Sequence, residues 1–198
     1  NSDGSVNLLT FSQMQNHIFL GGGTDVNSTY TFPAGVALKI PPATELDLNA
    51  HYFNKLTTSL TGENYINLYT VAQANVQKEA QSINFANYNF SIPANTTKTI
   101  TTDFTFTKPV TVITLTSHFH KLGQKFQIKI LGGARNGEIV YENTDWEHPL
   151  VINFTTPIQL KAGEGLTSVV TYNNTTTKTV NFGLTSEDEM NIIFGYYY

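Results

Sequence analysis

The sequence predicts an all-β protein, an antiparallel sandwich or jelly roll, and three observations predict it. Apolar residues recur with a period of two in nearly every patterned segment. The segments are short and are divided by turn chemistry: LGGGTD, FPAG, IPPAT, LGGARNGE, KAGEG and NNTTT. Much of the polarity comes from Thr and Asn, which suit strands and turns better than helices.

Taken in chain order, VALKI (36–40), ELDLNAHY (45–52) and YINLYTV (65–71) alternate as strands. TVAQANVQKEAQS (70–82) is the one helix-tolerant stretch and reads equally as a polar linker. The texture changes over residues 75–98, which predicts a connection between two sets of strands. The second set follows: TITTDFTF (99–106), VTVITLTSHFH (110–120), KFQIKIL (125–131) and EIVYE (138–142). LVINF (150–154), LTSVVTY (166–172), TVNFGL (179–184) and MNIIFGYYY (190–198) complete it. Short strands at regular spacing, closed by Gly, Pro and Asn turns, are the pattern of packed antiparallel sheets.

Composition narrows the function. The 198 residues are 40% hydrophobic and only 13% charged, so apolar burial must carry the fold. That length buries a sizeable core without covalent staples. A net charge of −4 and a pI near 5.7 leave no basic stripe for phosphates, which argues against a nucleic-acid partner. With no cysteine there is no disulfide, thiolate metal site or cysteine nucleophile. No apolar run is long enough for a membrane span. The chain starts at Asn1 without a signal peptide, as a processed or truncated product would.

The segment that carries chemistry is TLTSHFHKLGQKFQIKI, residues 114–130. His118 and His120 flank Phe119 in a strand-like run. Residues i and i+2 of a strand share a face about 6.6 Å apart. The two imidazoles therefore project together, close enough to chelate one metal ion, with Phe119 on the other face. Strict alternation places Val110, Val112, Thr114 and Thr116 on the histidine face and Ile113, Leu115 and Phe119 opposite. The plainer reading is a pair of half-exposed histidines at a strand end, since H-x-H alone is a weak signal.

A third ligand would decide between these readings. The other nitrogen donors are His17, His51 and His148, and the sulfur donors are Met14 and Met190. Met190 follows Glu187, Asp188 and Glu189 instead of sitting in an apolar run. It reads as a strand-initial gap-filler or as a thioether ligand. Two imidazoles and a thioether suit copper, because the soft sulfur favours Cu(I). Three protein ligands would leave a position open for dioxygen or substrate.

H-x-H on a strand, then TYNN, then GLTSEDEM ahead of a tyrosine-rich strand, resembles the copper type II, ascorbate-dependent monooxygenases. The resemblance implies two jelly-roll domains with one copper each. It implies that residues 76–198 are the C-terminal copper-binding jelly roll. Residues 1–75 would then be the end of a first jelly roll, an incomplete second sandwich, plus a linker. It makes His118, His120 and Met190 the ligands of the oxygen-activating copper. FPAGVALKIPPATELDLNAHYFN resembles the end of the family's first domain, which implies His51 as a ligand of a second copper. The implied reaction hydroxylates an aliphatic C–H of a small-molecule substrate with O2, using ascorbate or a similar one-electron reductant. The family also implies an exported location.

The departures from the family pattern are informative. No adjacent His-His pair precedes His51, so the second copper site is incomplete in this sequence. A missing N-terminal domain or another chain would have to complete it. The family's disulfide positions fall here on Val170 and Asn191. The positions that grip a peptide carboxylate in amidating members fall on Thr116, Ile192 and Phe194. None can ion-pair a carboxylate, which argues against a glycine-extended peptide substrate. The rival reading is a non-catalytic copper-binding or interaction module. A zinc hydrolase is weaker, since Met is a poor zinc ligand. His17 and His148 read as structural or surface residues, Trp146 as packing, and the acids 187–189 as a solvated turn.

Overall fold

The computed structural model describes residues 18–23, 27–48, 50, 54 and 56–198. The strands in chain order are β1 (Val36–Leu38), β2 (Lys78–Ala86), β3 (Ser91–Ile92), β4 (Thr96–Thr105) and β5 (Val110–His118). They continue as β6 (Gly123–Leu131), β7 (Ile139–Asn143), β8 (Ile152–Leu160), β9 (Gly165–Asn174), β10 (Val180–Asn181) and β11 (Ile192–Tyr197). One sheet has the order β1-β2-β11-β5-β8, a second β4-β9-β6-β7, and a two-stranded ribbon pairs β10 with β3. The protein is therefore all-β and sandwich-like. Among the described residues no helix is long and apolar enough to cross a membrane.

Two compact units divide the chain. Of the described residues, those before 32 join 80–198 in one unit, and those of 32–79 form the other. In the first unit the core fills the space between the two larger sheets. Ile83, Leu115, Ile158, Leu160 and Ile193 project from one sheet; Ile100, Phe126, Ile128, Leu166, Val170 and Tyr172 project from the other. Trp146 packs against this core, as its sequence context predicts.

Two sequence expectations fail for physical reasons. Residues 78–86 are a strand, β2, not a linker or a helix; only Gln73–Asn75 forms a helical turn, of 3-10 type. Pairing with β11 imposes the extended form, and Ala80 and Ile83 are the residues it buries. The alternating stretches 65–71 and, over its described residues, 45–52, by contrast, form no strand. Tyr65 and Tyr69 are 81% and 92% exposed, so alternation without a paired neighbour yields no ladder.

A β-bulge corrects the face assignment in β5. Tyr196 pairs with Thr114 but Tyr197 pairs with Val112, so Ile113 is an extra residue against β11. One inserted residue reverses the alternation. Val110 and Val112 accordingly join Leu115 and Phe119 in the core. Thr114, Thr116 and His118 stay on the outer face. The tight inner packing on one side and the polar outer side both follow from this single residue.

Asn191 is the anomaly of the core. It is fully buried, yet neither Oδ1 nor Nδ2 has a hydrogen-bond partner among the described residues; only its backbone carbonyl is used, accepting from the N–H of Asn87. An unsatisfied buried amide costs on the order of 1–3 kcal/mol. Asn191→Leu, the apolar isostere, is expected to raise stability by about 1 kcal/mol. Urea denaturation checks this, and an unchanged or lower midpoint would contradict it.

Candidate metal centre

The β5–β11 pairing assembles the site. His118 lies directly opposite Ile192, the first residue of β11. Extending that antiparallel register by two residues sets Met190 against His120. His120 lies past the end of β5, in a turn closed by the Gly123 N–H donating to the His120 carbonyl at 2.9 Å. The turn brings the imidazoles closer than strand spacing alone: their ring centroids are 5.1 Å apart with planes at 87°. His118 is half-buried, His120 is 7% exposed and Met190 8%. Phe119 points the other way, into the core against Phe126.

Glu189 ties the two halves of the site together. Its Oε2 accepts the backbone N–H of His120 at 2.9 Å and that of Met190 at 3.3 Å; its Oε1 accepts the N–H of Leu122 at 2.7 Å. His120 and Met190 thus donate to the same oxygen atom. The Glu189 side chain is fully buried, and burial pushes its pKa up to about 7 against the opposing pull of these N–H donors. Neither the expectation of a solvated acidic turn nor charge counting finds this role. Glu187 does sit in solvent, paired with Lys121, and Asp188 caps the N–H and hydroxyl of Thr185. The available signal was the direct adjacency of an acid to Met190 in the chain.

The backbone on either side is held as firmly. Tyr172 donates its hydroxyl to the Met190 carbonyl at 2.6 Å from within the core. Burial and the nearby Glu189 carboxylate raise the Tyr172 pKa well above its ordinary value, so this phenol remains a donor. The Asp188 carbonyl lies 2.9 Å from Nδ1 of His120. A carbonyl only accepts, so Nδ1 carries the proton and Nε2 is the basic nitrogen of that ring.

His148 is exposed in a turn, with Nδ1 3.3 Å from the Asp145 carboxylate, away from the pair. His51 and His17 lie outside the described residues. Among the described residues no three His, Cys, Asp or Glu side chains are grouped to hold a metal ion. Two imidazoles with a thioether, the set expected from the sequence, would fit a soft monovalent ion better than zinc.

Among curated proteins no sequence matches this chain. A solved structure of the infectious bursal disease virus Gx strain is similar over 69% of this chain and 36% of that one. At 11% identity and a TM-score of 0.21, that likeness carries no argument. The family model for the C-terminal domain of copper type II ascorbate-dependent monooxygenases matches residues 64–198, a span containing every residue of the site just described. The chain belongs to the copper type II ascorbate-dependent monooxygenase family.

Proposed function

We propose that the chain is the catalytic half of a copper-dependent monooxygenase that hydroxylates an aliphatic C–H bond with O2 and a one-electron reductant such as ascorbate. What supports this reading is the family match over residues 64–198, with the His118 and His120 rings 5.1 Å apart and one Glu189 oxygen accepting from the backbone of both His120 and Met190. When bound, copper supplies one-electron exchange and a coordination position for O2. His120 would bind through Nε2, since the Asp188 carbonyl holds the proton on Nδ1. Met190 would contribute the soft sulfur that favours Cu(I), and His118 the second imidazole. Glu189 and Tyr172 position the ligands through the backbone, which keeps the arrangement preorganised before any ion arrives.

On this reading residues 76–198 are a copper-binding jelly-roll domain of an exported protein. Residues 1–75 are the end of a first domain plus linker, of which the described residues before 32 join the compact unit of 80–198, and His51 serves a second copper completed by residues of a further domain or another chain. Hydroxylation consumes two electrons, whereas one Cu(I) stores one. The copper-loaded chain, given isotopically labelled O2, ascorbate and alkyl or phenethyl substrates, is therefore expected to form labelled alcohol in amounts no greater than the copper present. Met190→Ala should remove it. Unlabelled product, or none at all from a chain that binds one Cu(I), would assign the fold to copper binding without catalysis.

A further inference from the structure

We infer that Phe19, carried by a strap from outside the family-matched residues, and Phe194 form an apolar wall beside His118 that selects uncharged hydrophobic substrates. The inference rests on the proposed copper site and names the substrate class for it.

Residues 18–31 belong to the same compact unit as residues 80–198. The strap crosses the outer face of β11 and β5. Its Phe19 ring lies 4.6 Å from that of Phe194, and Phe194 in turn lies 6.4 Å from the His118 ring. The strap is pinned at both ends. Tyr196 donates to the Leu20 carbonyl at 2.8 Å, and Tyr30 stacks on the Tyr196 ring at 4.8 Å. Thr114 donates to Asn153 Oδ1 at 3.0 Å, so its hydroxyl oxygen accepts from Tyr30 at 2.5 Å. Gly21 permits the close passage: a Cβ there would stand 3.2 Å from the Tyr196 hydroxyl.

The positions around His118 on this face are neutral. Ile192 is opposite His118, Phe194 is opposite Thr116, and Ala86 and Asn84 flank them from β2. The Thr116 hydroxyl is turned to the Leu150 carbonyl at 2.8 Å. The charged pair in the vicinity, Lys121 and Glu187, is mutually neutralised on the His120 side. In the copper-free chain a bare carboxylate or ammonium placed against this wall would lose its hydration without a partner. An aryl or alkyl group would gain contact with two rings.

The test titrates benzyl alcohol, phenylacetate and benzylammonium against the copper-free and Cu(I)-loaded chain by ligand-observed NMR. The neutral arene is expected to bind at least ~10-fold tighter than either charged analogue. Phe19→Ala and Phe194→Leu should each weaken it several-fold while leaving the unfolding midpoint and Cu(I) affinity near the parent's. His118→Ala should lose Cu(I) yet keep the arene. Equal affinity for the three probes, no arene binding by the folded parent, or binding indifferent to both Phe substitutions would overturn the inference. Failure of the parent to bind Cu(I) would overturn the copper reading and leave the wall standing.

Discussion

On the proposed copper reading, His118→Ala is expected to abolish the binding of one Cu(I) per chain, with affinity falling by more than ~100-fold, since loss of an outer hydrogen-bonding partner alone costs a metal site 10–100-fold. The reason is local. His120 and Met190 are held in place by the backbone bonds of Glu189 and Tyr172, so the site cannot rearrange around the lost imidazole. Met190→His is expected to behave differently. A third imidazole keeps a metal but removes the soft sulfur, so preference moves from Cu(I) toward Cu(II) and Zn(II). Competition with a Cu(I)-specific chelator measures both. Unchanged stoichiometry and affinity in His118→Ala would put the metal elsewhere. Equal Cu(I) affinity in Met190→His would remove Met190 from the ligand set.

The second large effect is on stability and belongs to Glu189. Glu189→Ala strips the acceptor from the buried backbone N–H groups of His120, Leu122 and Met190. Unmade buried hydrogen bonds of this kind cost 1–3 kcal/mol each and do not add simply, so a loss on the order of 3–5 kcal/mol is expected. The same residue sets a pH dependence. Its pKa is raised from 4.5 to about 7 in the fold. The native chain therefore holds the proton more tightly than the unfolded chain between those values. Stability contributed by the protonated form is complete below about pH 4.5 and declines as pH rises through about 7, by about 3 kcal/mol in all. His120, Tyr172 and the acids 187–188 surround the group, so Glu189→Gln is the control that isolates it. Urea midpoints of the metal-free chain from pH 4.5 to 8 should fall in the parent and flatten in Glu189→Gln. Parallel curves for the two proteins would refute the assignment. Glu189→Ala should also weaken Cu(I) binding, as a positioning residue does, without itself touching the ion.

The period-two pattern in residues 99–198 identified every strand of the second set, because each has one face in a core and alternation records that face. It misjudged β2, whose sequence is polar on both sides of Ala80 and Ile83 and becomes a strand only through β11. It overread residues 65–71, where alternation has no ladder to join among the described residues. His118, His120 and Met190 were recognisable as candidates from their spacing and from the family's motif. Glu189 was not, since a buried acid and a solvated one are identical letters.

What the sequence determined by itself was the class of structure and the identity of the candidate donors. Strand periodicity, turn residues and the chemistry of imidazole and thioether are all local properties, readable without knowing which strands meet. Only the tertiary structure decided which backbones and rings meet. Glu189 tied the backbone of Met190 to that of His120, and the bulge at Ile113 turned Val110 and Val112 into the core beneath a histidine face. Burial turned Glu189 from a surface charge into a clamp, and the pairing of Tyr196 with Leu20 and Tyr30 with Thr114 drew Phe19 to Phe194. Each of these depends on contacts between residues scores of positions apart, whose energies local sequence does not encode.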